Sequence, residues 1–196
     1  MRVAVIGAGV AGLATAKVLT QAGHTVRVFD RTPDVGGGWS APRRYPGLTT
    51  QSPKAQYALS DFPMPADCPE WPTGAQVQAW LAAYAEHFAI DLALSTEVRA
   101  ARRVDEGWGL DFGGTTERFD RLVVANGVFC EPAVPDYPGV AEFAVAGGRL
   151  CAGTDFHDAE AARGKHVLVV GYGKSACDVT VPISETAAST TVIARQ

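Results

Sequence analysis

Several kinds of motif are missing from this 196-residue chain, and each absence closes a class of function. The four cysteines, Cys68, Cys130, Cys151 and Cys177, are scattered and form no CxxC pair. That argues against a zinc site and against a dithiol redox centre. They read as reduced thiols of a cytoplasmic protein. No apolar run approaches the roughly 20 residues of a membrane span. The stretch from Arg2 through Leu19 has the outline of a signal peptide, but Gly7, Gly9 and Gly12 interrupt its apolar region. A net charge of −4 gives no nucleic-acid-binding face. No Ser-His-Asp or Cys-His arrangement suggests nucleophilic catalysis. What remains is 47% hydrophobic and 19% charged, enough for a packed core without disulfides.

The pattern of the chain predicts an α/β fold. Val3–Ile6 is a short apolar run typical of a strand buried on both faces. A glycine turn follows, then a helix over Val10–Gln21 with Gly23 past its end, then a strand over Thr25–Phe29. From Thr32 to Trp71 proline and glycine dominate and little regular structure is expected; such long excursions usually contact a ligand. Thr73 reads as the N-cap of a helix reaching about Phe88, with Val77, Trp80, Leu81, Tyr84 and Phe88 as its apolar stripe. Val98–Val104, Trp108–Phe112 and Thr115–Phe119 read as a three-stranded meander, with Gly113–Gly114 as a hairpin signal. Leu122–Ala125 is a further buried strand, and Pro132, Pro135 and Pro138 predict an extended or turning stretch. A second strand–turn–helix–strand unit begins at Lys165: a strand over His166–Val170, a glycine turn, a helix to about Thr186 containing Pro182, and a strand over Thr190–Ala194. The expected organisation is a Rossmann-like dinucleotide-binding domain over 1–145, a linker over 146–165, and the start of a second such domain over 166–196.

The first turn reads Gly7-Ala8-Gly9-Val10-Ala11-Gly12. The first glycine permits the tight turn, the second lets backbone approach a pyrophosphate, and the third lets helix and strand pack closely. The pyrophosphate then sits at a helix N-terminus, where free N–H groups favour negative charge. Asp30 closes the second strand, where a carboxylate accepts hydrogen bonds from ribose hydroxyls; Arg31 stands beside it. The competing reading is a glycine turn that binds nothing. The second turn reads Gly171-Tyr172-Gly173-Lys174-Ser175-Ala176, with Ala in the third slot as an allowed variant. Its second strand ends on Arg195 rather than an acid. A guanidinium can pair with a 2′-phosphate that an acid would repel, which favours NADP(H) over NAD(H). The alternative is that Arg195 is a solvated residue. A phosphate-binding P-loop ending in Lys174-Ser175 fails because its leading position is Leu168. Two turns imply two cofactors: Asp30 suits the ribose of FAD or NAD and Arg195 suits NADPH, and the economical reading is a flavoprotein that takes hydride from NADPH.

These residues resemble the flavin-containing monooxygenases and their Baeyer–Villiger and ornithine-hydroxylating relatives. The resemblance runs over nearly the whole chain. It is carried by the first glycine motif, GGGW at 36–39, YPGL at 45–48, SPKAQYALSDFPMP at 52–65, FDRLVVANG at 119–127, PAVPDYPG at 132–139 and GYGKSACD at 171–178. It implies that Gly37, Gly38 and Trp39 line the FAD pyrophosphate and ribose, that Val98 sets its backbone near the adenine, and that Ala125–Gly127 passes close to FAD. The family's FxGxxxHxxx(W/Y) hallmark keeps Gly153 and His157, while Cys151 and Ala161 replace its aromatic ends. His157 reads equally as a linker residue capping the next element. Gln51 stands where many members carry an Asn close to the reactive face of the flavin; the longer arm shifts its amide by about an ångström, which can cost catalysis heavily.

The resemblance also implies an activity. NADPH reduces FAD, the reduced flavin captures O₂ as a C4a-hydroperoxide, and an amine, sulfide or ketone takes one oxygen atom. The partners would be a small-molecule substrate and O₂, with neither nucleic acid nor membrane. Family members are considerably longer, so the expectation includes a fragment or half of a split enzyme, completed by a C-terminal complementing chain or working as a homo-oligomer. The rival readings are a non-catalytic FAD- or nucleotide-binding module and a flavoprotein NAD(P)H oxidoreductase without oxygenase activity. A flavoprotein disulfide reductase lacks its cysteine pair here.

Overall fold

The computed structural model describes residues 1–194. The elements in chain order are β1 (Arg2–Ile6), α1 (Val10–Gln21), β2 (Thr25–Phe29), α2 (Gly74–His87), β3 (Leu92–Ala93), β4 (Ala100–Val104), β5 (Gly107–Asp111), β6 (Thr116–Phe119), β7 (Arg121–Val124), α3 (Val140–Val145), β8 (His166–Val170), α4 (Lys174–Ser184) and β9 (Ser189–Ile193). They form two compact units. One comprises Met1–Pro42 with Ser52–Cys130; the other comprises Arg43–Gln51 with Glu131–Gln196. Segment 43–51 therefore clusters with residues far along the chain.

The first unit is a Rossmann-like α/β arrangement. Its sheet has the order β3-β2-β1-β7 and every pairing is parallel. In the centre, Val3 pairs with Val26 on one side and with Arg121 on the other. Alternation along β1 explains why the strand is apolar from Val3 to Ile6, with the charged Arg2 at its exposed start. Val3 and Val5 join the core formed with Leu13 and Ala16 of α1 and with Val77, Trp80, Leu81 and Tyr84 of α2. Ala4 joins a second core with Phe29, Leu110 and Phe119 on the meander side. The meander β4-β5-β6 is antiparallel. Its hairpin takes the predicted glycines at φ +82° and +134° for Gly113 and Gly114. Val98 lies just ahead of β4 rather than within it, half-buried against the meander core. The two-residue strand β3 has no counterpart in the sequence pattern, because a strand so short leaves no period to read.

Helix α2 starts as predicted. The Thr73 hydroxyl accepts from the Gln76 amide N–H at 3.3 Å, and the Gln76 side-chain oxygen accepts from the Thr73 N–H at 2.9 Å. This capping box satisfies two N–H groups that would otherwise lack acceptors. Thr73→Ala is expected to cost about 1 kcal/mol, lowering Tm by about 2–4 °C in a thermal melt followed by circular dichroism. The proline-rich excursion carries three short 3₁₀ turns, at Gly37–Trp39, Ala41–Arg43 and Lys54–Gln56. Lys54 organises its distal part: Nζ donates to the carbonyls of Pro65, Ala66 and Cys68, so one ammonium stands in for the missing backbone ladder.

In the second unit, β8 and β9 pair in parallel, Val170 opposite Ile193. One face packs Val167 and Val169 toward Val179 and Ile183 of α4. On the other face Leu168 and Val170 stay 57% and 53% exposed. Helix α4 runs through Pro182 and ends two residues later. Pro182 has no N–H for the Asp178 carbonyl four residues back. Gly47, at φ +77°, comes so close to that carbonyl that a β-carbon there would lie 2.5 Å from the oxygen. Helix α3 follows Gly139 at φ +86°. It begins two residues past Pro138, beyond the stretch whose three prolines predict extended chain or turns, and runs for six residues after the left-handed glycine.

Candidate functional site

In the first unit the three glycines of the turn do different work. Gly7 sits at φ +109° and donates its N–H to the Phe29 carbonyl at 2.8 Å. A β-carbon on Gly7 would overlap the Ala125 carbonyl oxygen, and one on Gly12 would overlap the Gly7 carbonyl oxygen. Those two positions are closed by the protein's own backbone. Gly9 differs. It is the N-cap of α1 at φ −82°, makes no side-chain cap, and would place a β-carbon 3.5 Å from Gly37, an ordinary contact. Folding therefore does not require glycine at position 9, whereas a ligand seated against the backbone does.

Gly36–Gly38 packs against this turn. The Gly36 N–H donates to the Ala8 carbonyl at 2.9 Å, and a β-carbon on Gly37, at φ +60°, would meet the Gly9 Cα at 3.1 Å. Gly38 is exposed, with open space where its β-carbon would go. Trp39 is half-buried and meets Tyr57 edge-on, ring centroids 6.2 Å apart. The next residue, Ser40, is fully buried, and its hydroxyl makes no hydrogen bond.

Asp30 closes β2 as predicted, and its carboxylate is already at work. One oxygen accepts from the Ala8 N–H at 2.7 Å; the other accepts from the Thr32 N–H at 2.9 Å and from the Thr32 hydroxyl at 2.8 Å. The Thr32 hydroxyl lies 2.8 Å from the Asp34 carbonyl as well, and the Asp34 side chain accepts from Ala41 N–H at 2.8 Å. The sequence reading missed this brace, although alternating short polar residues beside proline are its signal. Arg31 donates to the Cys130 carbonyl. Ala125 continues from β7, its N–H bonded to the Ile6 carbonyl at 2.7 Å, and Gly127 turns the chain at φ +76°.

These residues suit a diphosphate-bearing dinucleotide. Among the described residues, the main-chain N–H groups of Val10, Ala11 and Gly12 meet no main-chain acceptor, and the first turn of α1 holds no acid. A carboxylate has about four lone-pair positions, of which Asp30 uses three, leaving one for a hydroxyl. The open space at Gly38 and the unpartnered Ser40 hydroxyl lie in or beside the glycine run packed on the same turn.

The second unit repeats the plan at the same spacing, with Ala176 in the third slot. Gly171 sits at φ +130° and donates to the Ile193 carbonyl at 2.8 Å. Ala176 fills the third slot without overlap, 3.7 Å from the β-carbon Gly171 would carry. Gly173 is the N-cap of α4, with no side-chain cap and nothing within 4 Å of a β-carbon. Segment 43–51 lies against this helix. The Tyr45 hydroxyl is 3.0 Å from Ser175 Oγ and 3.4 Å from Asp178 Oδ2. Lys174 pairs with Asp178 and donates to the carbonyl and hydroxyl of Thr49 at 3.2 Å each. Burial, and secondarily the Asp178 charge, push the Tyr45 pKa above that of an ordinary tyrosine. Apart from Ser175, this network went unread, since only the i, i+4 spacing of Lys174 and Asp178 is local enough to signal it.

Gln51 lies at the exposed end of this segment. His157 is exposed, and its Nδ1 stands 3.0 Å from the Arg44 carbonyl, so in the donating tautomer it holds the start of the segment. The turn Ala159–Ala162 is capped by Asp158, whose carboxylate accepts from the Glu160 N–H, so the alternative reading of His157 as that cap gives way to its neighbour. Arg195, expected to meet a 2′-phosphate, lies outside the described residues.

Comparison with known proteins agrees with this geometry. The family model described as flavin-binding monooxygenase-like matches residues 1–196. The chain is 34% identical over 194 residues to a 4-hydroxybenzoate brominase (decarboxylating) of Marinomonas mediterranea, covering 95% of this chain and 37% of the relative. The structure of a mutant flavin monooxygenase from Stenotrophomonas maltophilia superposes with a TM-score of 0.88 at 26% identity, over 100% of this chain and 57% of that one. Cyclohexanone monooxygenase of Rhodococcus sp. Phi1, solved with NADP+, superposes at 0.85 and 25% identity, over 100% and 38%. The chain spans between 37% and 46% of the length of the curated relatives it matches.

Proposed function

The chain belongs to the flavin-binding monooxygenase-like family, and from that premise we propose that it supplies the FAD-binding turn and the first NADPH-binding turn of a flavin-dependent monooxygenase. Residues 1–145 then carry the flavin site, 146–165 the link, and 166–196 the opening of the nicotinamide-nucleotide site. FAD, when bound, supplies the redox chemistry that takes hydride from NADPH and activates O₂ toward an amine, sulfide or ketone. The protein groups bind and orient. The N–H groups of Val10, Ala11 and Gly12 hold the pyrophosphate, and Gly9 and Gly38 leave room for it. Asp30 accepts a ribose hydroxyl on its remaining lone pair while bracing Ala8. Arg31, Trp39, Val98, Ala125 and Gly127 border the same cofactor. Gly171, Gly173 and Ser175 receive NADPH, with Arg195 toward its 2′-phosphate. Gln51 offers the amide that the resemblance places at the flavin, and His157 steadies the segment carrying it. A cytoplasmic location and a complementing chain, or a second copy, complete the proposal.

The observation that carries it is Gly9, a helix cap that is glycine with no need of its own to be so. Gly9→Ala is expected to leave the melting curve within a degree or two. It should weaken FAD binding at least tenfold, the equivalent of about one charge-assisted hydrogen bond. Titration of the purified chain with FAD, followed by flavin fluorescence, measures this. Failure of the unmodified chain to bind FAD, or equal binding by the variant, would sink the reading. Bleaching of bound flavin by NADPH would then separate an oxidoreductase from a passive binding module.

A further inference from the structure

We propose that Tyr45 is a positioning residue for nucleotide binding, fixing the Ser175 hydroxyl as a hydrogen-bond donor at the start of α4. This rests on the reading of the second glycine turn as an NADPH site and adds a residue that the glycine pattern does not contain.

Ser175 stands two residues past the Gly173 cap, on the first turn of an 11-residue helix. A hydroxyl there can accept or donate, and an anion needs a donor. Tyr45 settles which. Its phenol donates to Ser175 Oγ at 3.0 Å, occupying an acceptor position and leaving the Ser175 proton to point elsewhere. Asp178, at 3.4 Å from the phenol, is the weaker claimant, because Lys174 already pairs with it. That pairing has a second effect. The ammonium next to the glycine turn is committed to Asp178 and Thr49, so the polar recognition at this helix start falls to N–H groups and the Ser175 hydroxyl. Burial keeps Tyr45 protonated through the neutral and moderately alkaline range, so it remains a donor.

The segment that brings Tyr45 here is itself anchored. His157 holds Arg44, Lys174 holds Thr49, and Gly47 fits under the Asp178 carbonyl that Pro182 leaves without a helical partner. Tyr45 is thus placed by contacts on both sides of it in sequence, and its ring packs into the core of Val179 and Ile183. Removing only the hydroxyl leaves that packing in place.

The test is a double-mutant cycle on the full chain with NADPH as the probe, read by fluorescence titration. Tyr45→Phe is expected to weaken binding about threefold to tenfold with an unchanged melting temperature. Ser175→Ala is expected to weaken it by a similar factor, and the double variant should be no weaker than Ser175→Ala alone. Losses that multiply, or a Tyr45→Phe affinity equal to that of the unmodified chain, would overturn the role of Tyr45 while leaving the nucleotide site standing. Absence of NADPH binding by the unmodified chain would overturn the site and the inference together.

Discussion

Gly12→Ala is expected to destabilise the first unit by about 3 kcal/mol or more, a fall in Tm of about 6–12 °C. The added carbon would fall onto the Gly7 carbonyl oxygen, a main-chain atom that no rotamer change can move aside. Gly7 cannot retreat, because its own β-side abuts the Ala125 carbonyl and its N–H is tied to Phe29. The helix must instead lift from β1, which loosens Leu13 and Ala16 in the main core. Alanine recovers about 1 kcal/mol of helix propensity, but this is smaller than a backbone overlap of that kind. Gly38→Ala is the matched control, since its β-carbon meets open space. Urea denaturation of the two variants decides the matter: a Gly12→Ala midpoint equal to that of Gly38→Ala would mean the turn is not closed as described.

Asp30→Ala is expected to reduce stability and flavin affinity together. Two donors lose their acceptor, the Ala8 and Thr32 N–H groups, while the Thr32 hydroxyl keeps the Asp34 carbonyl at 2.8 Å. Bonds to a charged acceptor contribute about 1.5–3 kcal/mol each when fully desolvated. The site is only half-buried and water can replace part of the set, so about 3 kcal/mol in total is the expected loss. FAD affinity should fall tenfold or more, through the lost ribose contact and through release of Ala8 beside the pyrophosphate. Asp30→Asn keeps one acceptor oxygen and should fall between. If Asp30→Ala melted early yet bound FAD as well as the unmodified chain, Asp30 would be a brace for the loop and nothing more.

Local chemistry made much of the fold readable. Both glycine turns, the Thr73 cap and the Gly113–Gly114 hairpin depend on residues within a few positions of one another, and all of them stand where the pattern placed them. What escaped reading depends on distant partners. Nothing local in Arg43–Gln51 says that it belongs with α4, because its anchors, Ser175, Lys174 and His157, lie more than a hundred residues away. Strand β3 exists because β2 offers it an edge. Asp30 was legible as an acid closing a strand, but its hold on Ala8 was not, since that bond requires the turn to be folded first. The site shows the same division: the glycines are visible in the sequence, and the side chains that steady them are not.

The register of β1 has a consequence for how the protein is made. Its neighbour on one side is β2, but on the other it is β7, with Val3 opposite Arg121. At ribosomal speeds of about 5–20 residues per second, the central strand waits about 6–24 seconds for that second neighbour. Throughout that interval one edge of the strand carries unpaired N–H and C=O groups beside an apolar run. The contact of Gly7 with Ala125, which closes one side of the nucleotide turn at the very beginning of the chain, therefore forms only after Ala125 has left the ribosome.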